Sequence, residues 1–121
     1  MTNLEKKNHY NLLLSIYIEK LPEVGKKDML DYYGNDLSLS EIAQNRNVSK
    51  NAVYLSIKQC EKELDKLEEK LHFAKFKLDL IKKLENLTKV ESTNINTKIN
   101  DLIKEIKNGI WIIIWKITIN F

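Results

Sequence analysis

Four polar or basic side chains recur at helical spacing near the end of the stretch Leu37–Gln59, LSLSEIAQNRNVSKNAVYLSIKQ. Ammonium, amide and phenol groups in the first turns of a helix can contact phosphates and base edges of nucleic acid. A serine before them would cap that helix. Two lysines of an earlier helix would add phosphate contacts. The predicted nucleic-acid-binding residues are Ser49, Lys50, Asn51, Tyr54 and Lys58, supported by Lys26 and Lys27.

Groups that could perform catalysis or hold a metal are sparse. His9 and His72 fall far apart on different predicted helices, and Cys60 is the single cysteine. Glu68 and Glu69 are adjacent, so they cannot share one face of a helix. The sequence has no His/Cys cluster with metal-ligand spacing and no glycine-rich loop for phosphate. We therefore expect neither an enzyme, nor a cofactor, nor a metal site.

Composition predicts a helical protein. With 121 residues, one proline, three glycines and 31% charged residues, the chain suits one helical domain and an appended helix. A lone cysteine and the lack of a signal-peptide pattern favour a cytoplasmic location. The net charge of +3 divides evenly, with +1 in each of residues 1–60, 61–90 and 91–121. Charge alone therefore neither favours nor excludes nucleic acid.

Apolar spacing predicts two helices before the opening stretch. The first covers Leu4–Leu21, and Pro22 ends it or begins the next helix. The second covers Val24–Tyr33, and Gly34-Asn35 should stop it as a left-handed cap. The residues predicted to be buried are Tyr10, Leu13, Leu14, Tyr17, Ile18 and Leu21 in the first helix, and Met29, Leu30 and Tyr33 in the second.

The opening stretch itself predicts two helices joined by a tight turn. Ser38 and Glu41 have the spacing of a capping box, which begins a short third helix ending near Arg46. Asn47 suits a left-handed turn, and Val48 should fill that turn. The fourth helix then packs back on the third through Val53, Ile57, Ile42 and Ala43.

This stretch also resembles known helix-turn-helix proteins. The runs YYGNDLSLSEIA and NVSKNAVYLSIKQCEKEL are similar to region 4 of bacterial sigma factors. A closer resemblance, over about residues 8 to 85, is to the YlxM-like family of small bacterial proteins, encoded beside genes of the signal recognition particle. It implies a sigma-region-4-like helix-turn-helix and a regulatory role in the signal recognition particle pathway. The resemblance is carried by Tyr32, Tyr33, Asp36, Ser38, Leu39, Glu41, Ile42, Ala43, Val48, Ser49, Ala52, Val53, Tyr54, Ile57, Lys58, Glu61, Leu64, Glu68, Lys70, Leu71 and His72.

Apolar residues at alternating spacings of four and three extend the fourth helix from Val53 to Ile81. This spacing is typical of a coiled coil and predicts a helix that runs to about Leu87 or bends near His72. The first helix is too short to bury the whole run. A partner molecule or the later helix around Ile99–Ile106 must cover the rest. The predicted self-association residues are Cys60, Leu64, Leu67, Leu71, Leu78 and Ile81.

Charges beside this heptad run favour antiparallel pairing. Acidic residues cluster from Glu61 to Glu69, and basic residues cluster from Lys75 to Lys83. A parallel homodimer would place like charges together, whereas an antiparallel partner brings the acidic start beside the basic end. We predict antiparallel pairing, in a homodimer or with the chain's own later helix. The alternative is that both clusters are only solvated helix faces.

The last segment, Asn108–Phe121, is much more apolar than the rest. Six consecutive apolar residues precede Lys116, too few to span a bilayer, so no transmembrane segment is predicted. Alternation from Trp115 onward is typical of a strand. Three interpretations stay open: an interfacial membrane foot with Trp111 and Trp115 in the headgroup region, a strand that pairs with another chain, and sequence translated in an unintended frame.

The predicted fold is all-α, a sigma-region-4-like helix-turn-helix bundle with a long heptad-bearing helix. Its segments are a helix-turn-helix domain with the long helix (1–90), a linker and additional helix (91–107) and the apolar tail (108–121). The first functional hypothesis is a nonenzymatic regulator that binds DNA or signal recognition particle RNA. The second is a protein-interaction module whose heptad helix binds a protein of the targeting machinery, such as a targeting GTPase.

Overall fold

Most of the residues that the structure describes are helical. The computed structural model describes the backbone of residues 1–89 and 94–120, and the side chains of residues 1–89 and 94–109. All regular structure in those residues is helical, which confirms the predicted all-α class. The helices are α1 (Asn3–Tyr17), α2 (Glu23–Met29), α3 (Leu39–Arg46), α4 (Lys50–Leu71), α5 (Phe73–Leu87) and α6 (Ile95–Asn120), with a 3-10 turn at Ile18–Lys20 and a π-helical turn at Leu30–Gly34.

Two compact units divide the chain, residues 1–69 and residues 70–121. The boundary lies inside α4, so the first unit holds the helix-turn-helix and most of α4, and the second holds α5 and α6. Helix α6 is continuous across residues 107 and 108, where the sequence predicted a change of segment. The division into 1–90, 91–107 and 108–121 remains a prediction about folding units.

One face of α1 and the inward faces of the shorter helices make the core of the first unit. Leu30 was predicted to join this core but is 44% exposed. The chain changes at Leu30 from an α-helix to a wider π-helical turn, which shifts residues away from the 3.6-residue spacing on which the prediction rested. The buried apolar residues are Tyr10, Leu13, Leu14, Tyr17, Leu21, Met29, Tyr33, Ile42, Ala43, Val53, Ile57, Cys60 and Leu64, while Ile18 is half-buried.

The turn that follows α2 differs from the prediction at its end. Neither Gly34 nor Asn35 is left-handed, and the positive φ, 57°, falls on Asp36. The Asn35 amide still donates to the Leu30 carbonyl at 2.9 Å, so the wider turn extends one residue further before the chain reverses. Aspartate tolerates the left-handed region better than most residues. Its side chain also accepts a hydrogen bond from Lys7 of α1, which ties the turn to α1.

Helix α2 approaches α4 closely at one glycine. A Cβ added to Gly25 would lie 2.5 Å from the Cys60 sulfur, too close for any side chain without rearrangement. Glycine therefore permits this approach of the two helices.

The heptad run is interrupted at His72. This residue is left-handed, with φ 56° and ψ 29°, and separates α4 from α5. The sequence had left open a continuous helix to Leu87 or a bend near His72, and the structure has the second arrangement. A left-handed residue ends the α-helical hydrogen-bond pattern. The heptad residues are thus divided between two helices.

Helices α5 and α6 of the second unit form an antiparallel hairpin. Lys83 of α5 pairs with Glu105 of α6, and Phe76 lies against Gly109. Contact positions therefore rise along α5 while they fall along α6. A Cβ at Gly109 would overlap the Phe76 ring, so glycine allows the two helices to meet there.

The strand predicted from Trp115 onward is wrong for the backbone, which is helical to Asn120. Extending an existing helix by one residue costs less than starting a new element, and α6 already runs into this segment. The tail side chains from Ile110 onward, including Trp111 and Trp115, lie outside the described residues. No helix within the described part of the chain combines the length and apolar character needed to cross a bilayer.

Candidate nucleic-acid interface

The turn between α3 and α4 is built by local hydrogen bonds. The Ser38 Oγ accepts from the Glu41 amide at 3.1 Å, and the Glu41 carboxylate accepts from the Ser38 amide at 3.2 Å, as the predicted capping box requires. Asn47 is left-handed with φ 55°, also as predicted. The Val48 amide then donates to the Ala43 carbonyl at 3.0 Å. These bonds end α3 sharply and set the start of α4.

The predicted contact residues at the start of α4 lie on its exposed side. The Ser49 Oγ accepts from the Ala52 amide at 3.0 Å and so caps the helix. Val53 and Ile57 are buried in the first unit, as predicted, whereas Val48, expected to fill the turn, is 39% exposed. The exposed residues are Ser49, Lys50, Asn51, Tyr54 and Lys58. Their assignment to nucleic-acid contact remains a prediction.

Beyond Lys58, tyrosines pack against the same side of α4. Positions 50, 54 and 58 share one side of the helix with positions 61, 65 and 68. At the latter three, carboxylates accept hydrogen bonds from tyrosine hydroxyls, and although the Asp65 side chain stays 49% exposed, the fully open part of this side spans only about 12 Å, from Lys50 to Lys58. The bonds join Tyr33 to Glu61 (2.5 Å), Tyr10 to Asp65 (2.7 Å) and Tyr17 to Glu68 (2.7 Å).

These tyrosine–carboxylate pairs were not predicted from the sequence. Glu61 and Glu68 were interpreted as charges flanking the heptad run, whereas the structure uses both within its own first unit. Burial, followed by the carboxylate partners, raises the pKa of Tyr10 and of Tyr33 far above the ordinary value. Both hydroxyls therefore remain protonated donors. The available signal was the spacing of three carboxylates along one side of α4.

Lys58 stands at the border between the open and the covered part of α4. Its Nζ lies 3.4 Å from the Glu61 Oε2 and 5.6 Å from the centre of the Tyr54 ring. The Glu61 carboxylate raises the pKa of Lys58. Lys6 of α1 also lies 3.8 Å from Glu61. The Lys58 ammonium is thus held in position, and a phosphate would have to compete with Glu61 for it.

An ion pair that the sequence did not suggest fixes α3 to α2. The Arg46 Nη1 donates to the Asp28 Oδ2 at 2.6 Å, and Asp28 is fully buried. Its second oxygen, Oδ1, has no hydrogen-bond partner among the described residues. A buried carboxylate is tolerated only when it is paired. Arg46 therefore fixes α3 to α2, and no pattern in the sequence pointed to this pair.

The two supporting lysines on α2 have different surroundings. The Lys26 Nζ lies 3.0 Å from Glu19 and 3.2 Å from Glu23. The hydrogen bond to Glu19 raises the pKa of Lys26 more than any other contact does. Much of the Lys26 charge is therefore compensated within its own surroundings. Lys27 is exposed, and the phosphate contacts expected of both residues remain a prediction.

The predicted self-association residues lie in two different environments. Cys60 and Leu64 lie in the core of the first unit, where the chain's own helices cover them. Leu71 is buried and Leu67 is half-buried, whereas Leu78 is 46% and Ile81 is 40% exposed. Self-association through these residues remains a prediction, and only Leu78 and Ile81 have large exposed surfaces.

The groups considered for catalysis have structural contacts instead. The His9 Nε2 lies 3.0 Å from the Asp65 carboxylate, and burial raises the pKa of the Cys60 thiol. Over the residues whose placement is described, no group of three or more His, Cys, Asp or Glu side chains could hold a metal ion.

Comparisons with known proteins identify relatives over most of the chain. Residues 4–108 match the UPF0122 family, described as "Putative helix-turn-helix protein, YlxM / p13 like". A probable UPF0122 protein of Mycoplasma mycoides is 44% identical over 113 residues, 93% of each chain. The UPF0122 protein YofM of Lactococcus lactis is 38% identical over 101 residues, 82% of this chain and 91% of that protein. A UPF0122 protein of Clostridium novyi is 34% identical over 111 residues, 88% of this chain and 96% of its own. No solved structure matches the chain significantly.

Proposed function

Because the chain belongs to the UPF0122 family of YlxM / p13-like helix-turn-helix proteins, as its sequence resemblance indicated, we propose that it is a nonenzymatic regulator that binds nucleic acid through α4. One observation carries this proposal. One side of α4 exposes polar and basic residues from Lys50 to Lys58, beside the exposed Leu55, and beyond Lys58 tyrosine hydroxyls donate to the carboxylates of that side. A recognition helix needs its N-terminal turns free and the rest held by packing.

The charge of the first unit limits the kind of binding. Residues 1–69 carry ten Lys/Arg and twelve Asp/Glu, a net charge of −2. Non-specific affinity comes from many phosphate contacts made by basic residues. A negative unit with few lysines at its interface therefore binds random duplexes weakly. We propose a target read by few contacts, either DNA of a defined site or, from the family resemblance, signal recognition particle RNA in a regulatory role.

Binding of the full chain to labelled signal recognition particle RNA and to random duplex DNA of equal length, across a salt series, tests this proposal. We expect preference for the RNA and a shallow dependence of log K on log salt, with a slope of about −2 for two or three phosphate contacts. Equally weak binding to both, lost by about 0.15 M salt, would contradict binding of that RNA and leave only generic phosphate attraction.

Paired charge reversals locate the contact on α4. Lys50→Glu with Lys58→Glu should weaken binding at least about tenfold. Lys62→Glu with Lys66→Glu is the matched control, because both lysines are exposed on the same helix but lie beyond the proposed contact residues, which end at Lys58. The control should bind nearly as the natural chain does. Glu61→Gln, which removes the competitor of phosphate for Lys58, should strengthen binding.

A second function is favoured by the negative charge of the first unit and by the exposed Leu78 and Ile81. In this alternative the helix-turn-helix is a scaffold, and the heptad residues bind a protein of the targeting machinery or a second copy in antiparallel pairing. The Lys50→Glu, Lys58→Glu double variant would then keep its activity. Two results together would favour the alternative. The double variant would still bind the targeting protein or a second copy, and the Lys62→Glu, Lys66→Glu control would lose as much RNA binding as the double variant does.

A further inference from the structure

Both helices of the α5–α6 hairpin expose aliphatic side chains. Leu78, Ile81 and Leu84 of α5 are 40–47% exposed, and Ile99 and Ile103 of α6 are 40% and 45% exposed. Single exposed leucines are ordinary on protein surfaces, but a group of them on one hairpin marks an interaction surface.

Helical register places most of this apolar surface on the same side of both helices. In α5, Leu84 and Ile81 lie about 70° and 130° around the helix from the side that faces α6. In α6, Ile99 and Ile103 lie about 60° and 100° from Leu102, which faces α5. In each helix, viewed from its own N-terminus, these residues are rotated in the same direction from the side that faces the other helix. Because the two helices are antiparallel, the exposed residues of both then lie on one side of the hairpin. We call this side the apolar side.

The charge of the second unit is strongly positive. Residues 70–121 carry ten lysines and five Asp/Glu, a net charge of +5, against −2 for residues 1–69. This difference in charge is not visible in residues 1–60, 61–90 and 91–121, because each of those segments carries +1. Lys77 of α5 and Lys107 of α6 are exposed and lie on the apolar side by the same register.

We propose that the α5–α6 hairpin docks on an anionic lipid surface, with Ile81, Leu84 and Ile103 entering the headgroup region and Lys77 and Lys107 contacting lipid phosphates. Helices that lie on membranes combine an aliphatic side with lysines, and anionic lipids attract such lysines. This inference does not depend on the nucleic-acid function proposed for α4.

Charge and side-chain type favour lipid over the other occupants of this surface. A second copy would bring a +5 unit against another +5 unit, which is repulsive. Nucleic acid is bound by hydrogen-bonding and aromatic side chains, for which exposed leucine and isoleucine are poor substitutes. In the sequence, α6 continues after Gly109 with six Ile and Trp residues, and Trp is enriched at membrane interfaces.

Co-sedimentation of the full chain with vesicles tests the proposal. The probes are phosphatidylcholine vesicles and phosphatidylcholine vesicles with about one third phosphatidylglycerol. We expect binding to the anionic vesicles that is at least about tenfold stronger than to the neutral ones and weaker in high salt. Trp111 and Trp115 are the two tryptophans of the chain, so a blue shift of their emission would report entry of the α6 end into lipid.

Matched charge reversals test which side of the hairpin binds. Lys77→Glu with Lys107→Glu should weaken binding to the anionic vesicles at least about tenfold. Lys82→Glu with Lys104→Glu makes the same charge change on exposed residues away from the apolar side, and it should cost much less. Leu84→Ser with Ile103→Ser should weaken binding and reduce the blue shift.

Four results would overturn the proposal. The first is equal weak sedimentation with both vesicle types. The second is an equal loss in the two charge-reversal variants, which would indicate general attraction rather than this surface. The third is a concentration-dependent dimer that Leu84→Ser with Ile103→Ser converts to a monomer, since a second copy would then cover the apolar side. The fourth is binding of RNA that depends on Lys77 and Lys107, together with no binding to either vesicle type, because nucleic acid would then be the partner of this side.

Discussion

Leu64 in the first unit and Leu78 in the second occupy equivalent positions of one heptad run, but their surroundings are opposite. Leu64 is fully buried, whereas Leu78 is 46% exposed. In the first unit, α1 and the short helices cover the apolar side of α4. The hairpin of the second unit has two helices, which cannot cover all of their apolar sides. Heptad spacing therefore reports that a helix has an apolar side and leaves open what covers it.

The two units also differ in how they use charge. The first carries −2 and places four of its twelve carboxylates, those of Asp28, Glu61, Asp65 and Glu68, against Arg46 or tyrosines. The second carries +5, and its ion pair between Lys83 and Glu105 is on the surface. Charges in the first unit thus contribute to a single packed arrangement. In the second unit, Lys77 and Lys107 are exposed on the surface of the hairpin.

The largest expected contrast is between the two heptad leucines. Leu64→Ala should lower the free energy of unfolding by about 3 kcal/mol, because it leaves a cavity in the core. Leu78→Ala should cost less than about 1 kcal/mol, because much of the side chain is already in water. Urea unfolding followed by circular dichroism measures both. Equal losses would contradict this difference, since Leu78 would then be buried by a partner in solution.

The buried ion pair of the first unit should show the next largest effect. Arg46→Met should cost about 2–3 kcal/mol, because the Asp28 carboxylate is left buried without its partner. Asp28→Asn with Arg46→Met should cost less than the single change, since no buried charge remains. The same urea titration gives both values. If the double variant is less stable than the single one, the pair is not what holds α3 to α2.

A smaller effect is expected for the hydrogen bond between Tyr33 and Glu61. Tyr33→Phe should cost about 1–2 kcal/mol by leaving a mostly buried carboxylate with one donor fewer. Tyr54→Phe, at an exposed position of α4, is the matched control and should change stability little.

The same tyrosine makes stability depend on alkaline pH. The pKa of Tyr33 is raised in the folded chain above its unfolded value of about 10. Its contribution is therefore complete below about pH 10 and is lost as the pH rises toward the folded pKa. Thermal unfolding between neutral pH and pH about 11 should show a steeper loss for the natural chain than for Tyr33→Phe. Parallel pH curves for the two chains would exclude this linkage.

The smallest effect is expected at the surface ion pair of the hairpin. Lys83→Ala should change the free energy of unfolding by no more than about 0.5 kcal/mol, and added salt should reduce the difference, because both partners are exposed to water. Lys82→Ala is the neighbouring control. A loss near that of Tyr33→Phe would show that the hairpin depends on this pair and would contradict the difference between the two units.

Features that depend on nearest neighbours were predicted well from the sequence. The Ser38–Glu41 capping box, the left-handed Asn47 and the buried face of α1 were all expected, because each depends on side chains within one or two turns. The failures have local causes too. Leu30 left the core through the π-helical turn, and the tail continued α6 instead of forming a strand.

The candidate site was only half visible in the sequence. Its exposed residues followed from helical spacing. Its C-terminal end at Lys58, however, depends on Tyr10, Tyr17 and Tyr33, which contact α4 from distant parts of the sequence. The pairing of Asp28 with Arg46 is invisible for the same reason. Partners that lie many residues apart are selected by packing, and helical spacing carries no information about them.

Most helices, the capping box of α3 and the apolar side of α1 follow from hydrogen bonds and side-chain spacing within a few residues, and local sequence therefore sets them. Which apolar sides are covered, where α4 is open, and how the charge separates into a negative and a positive unit depend on the packed chain. Burial and pairing are properties of surfaces brought together by the whole chain, and a boundary such as His72 changes which residues share a unit.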